Sequence, residues 1–347
     1  MPRSTCRVMA IGGGTGLATL LRGLKRYVHA ENGWSITDLS AIVTVTDEGG
    51  SSGVLRREFG VLPPGDIRNC IVALAEEERT LSQLFSYRFD GQSALGGHSL
   101  GNLLLTALSD LRGSFFHAIR DASEVLAIRG RIYPSTLSDV RIRAILEDGS
   151  ELVGEREISG DKLSSLPPPR HARIRELQLD PEDAQPLSEA IEEIREADLI
   201  IIGPGSLYTS VLPNLLIREL RDEIAAARAF TIYVCNVMTQ PGETEGFAAE
   251  DHLRVLSDHA GHVADAVVLN GTRPSHAILE LYARKGQRLV EHDLDAIRAL
   301  HCTPFFGNVI SEGNYLRHDS DALARTIFRL YDRFGRGIEE LRRASEA

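Results

Sequence analysis

The chain has 347 residues, is 43% hydrophobic and 25% charged, and carries a formal net charge of -11. That length suits one large α/β domain or two ordinary ones, in a composition ordinary for a globular protein. The acidic balance argues against a general nucleic-acid grip, which needs a basic face, although backbone amides and a few arginines can hold an anion locally.

A short apolar run at 8–11 leads into Ile11-Gly12-Gly13-Gly14-Thr15-Gly16. A helix-like pattern follows over 17–27, with Leu17, Leu20, Leu21 and Leu24 on one face. A glycine loop between strand and helix suits a phosphate: its N–H groups are uncovered, and the helix N-terminus adds positive partial charge. Gly12 and Gly14 fit the start of a dinucleotide loop, but Leu17 replaces the third glycine, and the Gly-Lys-Ser/Thr of a P-loop is absent. The plainer alternative is a tight β-to-α turn. The next apolar run, 41–45, ends in Thr46-Asp47-Glu48-Gly49-Gly50-Ser51-Ser52-Gly53. Asp47 and Glu48 are candidates to hold a cation or a ribose hydroxyl or to polarise a nucleophile, against the alternative of a solvated acidic turn. Ser51 and Ser52 add hydroxyls beside them.

Pro63-Pro64-Gly65-Asp66-Ile67-Arg68-Asn69 then opens a helix over 67–74. Asp66 is the expected N-cap, and Arg68 and Asn69 in the first turn suit an anion better than they suit the helix. Gly96-Gly97-His98-Ser99-Leu100-Gly101-Asn102 opens another helix, with His98 and Asn102 facing a ligand or serving as structural hydrogen-bonders. Residues 130–185 read as a small β-rich insertion: 140–146 alternates, Asp148-Gly149 marks a turn, Pro167-Pro168-Pro169 breaks regularity, and 174–179 alternates again.

Continuous apolar runs return at 199–202, 231–234 and 266–269, as in strands buried on both faces of a parallel sheet. Leu187, Ile191 and Ile194 share one helix face, and Leu215, Ile217, Leu220 and Ile224 another. The run at 199–202 ends in Gly203-Pro204-Gly205-Ser206-Leu207-Tyr208-Thr209-Ser210, a second loop fit for phosphate oxygens, and the next ends in Cys235-Asn236-Val237-Met238-Thr239. Alternating strands and helices imply a Rossmann-like, doubly wound, mostly parallel α/β sheet, with ligands beyond the carboxyl ends of its strands. His259 and His262 read as surface histidines, since no His-Glu-x-x-His accompanies them. Residues 338–347 read as a charged helical tail. The four scattered cysteines, the absence of a signal-peptide pattern and the lack of any apolar run near the roughly 18–20 residues of a spanning helix lead to the expectation of a soluble cytoplasmic protein.

Together the strings IGGGTGL, EGGSSG, VLPPGDIRNC, GGHSLGNLLL, ADLIIIGPGSLYTSVLPNLL and YVCNVMTQPGET resemble the gluconeogenesis factor family, also called the YvcK or CofD-like family. They run from residue 11 to 244, and RHDS at 317–320 extends the likeness, so 1–347 is read as a single CofD-like domain. One departure is that the family usually carries two aspartates where this chain has Asp47-Glu48. The resemblance implies a bacterial protein linking carbon metabolism to cell-wall synthesis and cell shape, acting through regulatory partners and binding a UDP-sugar such as UDP-N-acetylglucosamine. It also implies a distant kinship to 2-phospho-L-lactate transferase, which uses an acid in the second loop and a divalent cation.

The leading expectation is a nucleotide-sugar-binding regulatory protein. The diphosphate rests on Gly13, Gly14, Thr15, Gly205 and Ser206, Asn236 meets base or ribose, Tyr282 stacks and Arg317 clamps. A metal-dependent transferase using Asp47 or Glu48, with Mg2+, is the alternative. An NAD-dependent oxidoreductase is a third, lowered by the missing glycine. Ser320 is either a phosphorylation switch beside the ligand or the N-cap of a helix over 322–330. Whether the chain forms a homo-oligomer is left open.

Overall fold

The computed structural model describes residues 4–76, 80–160, 172–313 and 315–335. Among the described residues twelve strands follow one another. They are β1 (Ser4–Gly12), β2 (Trp34–Val43), β3 (Arg131–Pro134), β4 (Arg141–Leu146), β5 (Glu151–Val153) and β6 (Ile174–Asp180). The second half adds β7 (Leu199–Ile202), β8 (Phe230–Val234), β9 (Ala266–Asn270), β10 (Thr303–Gly307), β11 (Ile310–Glu312) and β12 (Leu316–His318).

The apolar runs do what unbroken runs of that kind do: they bury both faces. Every residue of β7 and β8 is buried, as is the end of β1 from Val8 onward. A parallel sheet accommodates this because helices cover both of its faces. Seven strands form that sheet in the order β10-β9-β8-β7-β1-β2-β3, and every pairing is parallel. The doubly wound α/β fold read from the sequence is the fold observed. The chain leaves β1 toward β2 and β3 on one side and later places β7 on the other, so the winding reverses between β1 and β7. A crevice opens at such a reversal, beyond the carboxyl ends of the strands. Both glycine loops are there: Gly13 follows β1, and Gly203 follows β7.

The helix Gly14–Leu24 buries Leu17, Leu20, Leu21 and Leu24 against the sheet, the face its periodicity predicts. Three expectations change. β3 pairs with β2 as the edge of the main sheet, so the separate antiparallel sheet, β5-β4-β6, begins at Arg141 and not at 130. The pattern through Leu215 and Ile224 is two helices, Leu212–Leu215 and Arg218–Ala226. Leu215 and Ile217 are both buried, and spacing of two cannot share one helical face, so the backbone extends at Ile217 and restarts. Asp66 does not cap its helix: Pro64 occupies the N-cap of Gly65–Leu74, and Asp66 lies in the first turn. The three prolines at 167–169 and the tail at 338–347 lie outside the described residues.

Candidate functional site

The two glycine loops are locked to each other. Gly203 donates its N–H to the Ile11 carbonyl at 2.8 Å, and Asn214, fully buried, donates to the carbonyls of Gly12 and Ser210 at 3.2 and 2.9 Å. A Cβ on Gly16 would run into the Pro204 carbonyl, so only glycine lets the first helix come this close to the second loop. Asn236 donates to the Gly205 carbonyl at 2.7 Å, fastening the loop after β8 to the same frame. In the helix Gly14–Leu24 the first backbone bond comes from Leu17, and no acidic residue sits in the first turn. Its leading N–H groups therefore keep their positive end for a ligand. After Gly203, one widened turn, Leu207–Val211, carries the second loop into its helix.

A cavity of about 530 Å³ lies over these loops. Gly13 to Gly16 and Gly205 to Thr209 form one side, in part, and Tyr282 and Arg317 border it from the C-terminal region. The Tyr282 hydroxyl accepts from the Leu316 N–H at 3.0 Å and donates to its carbonyl at 3.2 Å, which ties the β11–β12 hairpin to the helix His276–Ala283. The hairpin brings His318 to the cavity as well. Burial pushes the His318 imidazole down to about 4, so it is neutral at physiological pH. Ser206 donates to Glu243, and Thr209 donates to Ser206 at 2.8 Å.

The acidic side of the cavity is built by three carboxyl groups, Asp47, Asp66 and Glu155. Burial first, and then the charges of Asp66 and Glu155, push Asp47 up to about 8. Its Oδ1 accepts from the Gly49 N–H at 2.8 Å. Glu48 turns the other way: it lies near Arg56 and Arg141 at 3.8 and 3.5 Å and ties the second loop to the small antiparallel sheet. The two neighbouring acids thus have different surroundings, and Asp47 is the one that faces the cavity. Glu155, which the sequence reading missed, arrives on the short helix Glu155–Ile158 that follows β5 and accepts the Glu48 N–H at 3.0 Å. Only the packing of the small sheet onto the core could reveal it. Among the described residues no group of three or more His, Cys, Asp or Glu side chains is placed to hold a metal ion.

The remaining candidates divide. Asn69 also borders the large cavity, whereas Ser51, Ser52, Arg68 and Asn102 line a smaller neighbouring one of about 220 Å³. His98 is hydrogen-bonded to the Ser51 hydroxyl at 3.0 Å. Tyr208 is 1% exposed and belongs to the core, where burial raises its phenol. Thr239 receives the Arg288 N–H at 2.9 Å and joins two chain segments. Gly12 sits beneath the first loop, and Gly203 ends β7 with a φ of +79 that favours glycine. Asp319, not Ser320, caps the helix Ser320–Leu330, accepting from Ala322 at 2.7 Å. His259 accepts the Leu177 N–H at 3.0 Å, a structural role, and all four cysteines are buried. No helix among the described residues is long and apolar enough to cross a membrane.

Comparison with known proteins gives the family. The family described as 2-phospho-L-lactate transferase CofD matches residues 8–310. A Nostoc sp. protein named "Putative gluconeogenesis factor" is 46% identical over 94% of this chain and 68% of its own length. The "Gluconeogenesis factor" of Bacillus subtilis is 42% identical over 92% of this chain and 96% of its own. A crystal structure of a UPF0052 family member from Bacillus halodurans superposes with a TM-score of 0.86 at 40% identity, covering 93% of this chain and 99% of that one. Matched along nearly all of its length, the chain belongs to the gluconeogenesis factor family and is CofD-like.

Proposed function

We propose that the large cavity binds a nucleotide sugar of the UDP-N-acetylglucosamine type, and that the bound state is a signal linking carbon metabolism to cell-wall synthesis and cell shape. The observation that carries this reading is the facing pair of loops at the winding reversal, 13–16 on one and Gly205, Ser206, Thr209 and Ser210 on the other, in one cavity with Tyr282 and Arg317. Loop N–H groups and hydroxyls suit a diphosphate, a guanidinium suits paired oxygens, and an aromatic ring suits a base face. Calorimetry with UDP-N-acetylglucosamine and with UMP tests it. Tight binding of the diphosphate sugar and weak binding of UMP are expected. No heat from either at millimolar concentration refutes it.

The cluster of Asp47, Asp66 and Glu155 favours a second reading, a transferase acting at a nucleotide diphosphate linkage. Mg2+ is typically held by one or two carboxylates together with substrate phosphates and water, and this donor set fits that mode better than a closed protein cage. Asp47 and Asp66 would share such an ion, which supplies charge neutralisation at the diphosphate. The protein's own part is to orient the diphosphate on the two loops and to exclude water with the β11–β12 hairpin. Product formation that requires Mg2+ and disappears in Asp47→Asn supports this reading; binding without product supports the regulatory one.

A further inference from the structure

Asp47 and Asn69 border both the large cavity and the smaller one of about 220 Å³. The smaller one adds two arginines to the shared Asp47. Arg68 and Arg88 both line it, together with Ser51, Ser52 and Asn102. Burial, and then the charge of Arg88, disfavour the charged form of Arg68, while the nearby Asp66 and Asp47 carboxyls favour it. Two guanidinium groups beside one cavity repel each other unless an anion lies between them. Among the described residues neither forms a salt bridge. Arg68 donates to the Asn69 side chain at 2.6 Å, and Arg88 donates to the Gly97 carbonyl.

The site is built rather than incidental. The stem of Arg68 packs on Gly101, where an added Cβ would lie 2.9 Å from Arg68 Cγ and Cδ, so the guanidinium is held in place. Asn102 is 2% exposed and lines the cavity, and its amide oxygen has no hydrogen-bond partner. An amide can present either end to a ligand, its N–H side to an oxyanion. Ser51 and Ser52 lie in the first turn of the helix Gly50–Phe59, which has no acidic residue there. Ordinary turn or capping roles account for none of these features together.

We propose that this smaller cavity is a second, separate oxyanion site, taking the phosphoryl or carboxylate group of a small metabolite alongside whatever nucleotide the large cavity holds. The two guanidiniums flank the anion, the serine hydroxyls and the Asn102 amide complete its shell, and Asp47 forms the wall between the two ligands.

Inorganic phosphate and acetate are the probes, titrated calorimetrically into wild type, Arg88→Gln and Arg317→Ala. Arg88 is exposed, so its replacement should leave folding intact. Phosphate or acetate affinity at the smaller cavity is expected to fall about tenfold or more in Arg88→Gln, about 1.4 kcal/mol, whereas Arg317→Ala weakens only anion binding in the large cavity. The tighter of the two probes identifies the group as phosphoryl or carboxylate. Equal affinity in all three proteins, a loss confined to Arg317→Ala, or no binding of either probe at about 10 mM overturns the proposal. None of these outcomes depends on UDP-sugar binding, which is measured separately in the large cavity.

Discussion

Asp47→Asn should stabilise the ligand-free protein, and by more as the pH rises. Asp47 is buried beside Asp66 and Glu155, and its folded-state pKa of about 8 lies above the ordinary 3.8. Between those values the folded protein keeps a proton that the unfolded chain gives up. Its stability is therefore highest below about pH 4 and falls as the pH rises toward 8. One proton sets a ceiling of about 1.4 kcal/mol per pH unit on that slope, and relaxation and water entry in an open cavity lower it. Asparagine is isosteric, can keep the acceptor for the Gly49 N–H, and carries no charge. We expect Asp47→Asn to exceed wild type by about 2 kcal/mol near pH 8 and to converge with it near pH 4. Urea denaturation of both proteins over this range measures the difference, and charges common to both largely cancel. A difference that is constant with pH, or that grows toward acid, refutes the burial and charge argument.

Three further outcomes follow from the same geometry. Gly16→Ala should cost about 1–3 kcal/mol in thermal or urea unfolding, because the added methyl meets the Pro204 carbonyl, which is main chain and cannot rotate away. Asn214→Ala should cost a similar amount, about 1–3 kcal/mol, by leaving the buried Gly12 carbonyl one donor short, and should weaken UDP-N-acetylglucosamine binding by loosening both loops. The His318 ring should show no titration by NMR above about pH 5.5, whereas a midpoint near the ordinary 6.5 would contradict its burial.

The fold was largely legible because its central strands are continuous apolar runs, a pattern few other elements share. Residues 199–202 are β7 to the residue. In the main sheet, the strands that escaped notice are the two edges. β3, Arg-Ile-Tyr-Pro, is mostly buried but holds a single aliphatic residue, and β10 is half-buried along most of its length, so neither leaves a run of aliphatic residues. The glycine loops were visible for a related reason: strand, loop and helix are contiguous in the chain, and loop chemistry is local.

Other features needed the tertiary structure. Asp47 and Glu48 are adjacent in sequence, yet one faces the cavity and the other lies toward Arg56 and Arg141. Tyr208 sits in a loop of ligand-facing residues but is drawn into the core, as its bulk favours. Glu155 joins Asp47 from 108 positions away through the packing of the small sheet, with no local signal to announce it. What the sequence by itself determined were the elements and loops set by neighbours along the chain. Which acid faces the ligand, and the division of one list of candidates between an acid-bordered cavity and an arginine-lined one, were decided only by contacts between distant segments, which carry no periodicity in the sequence.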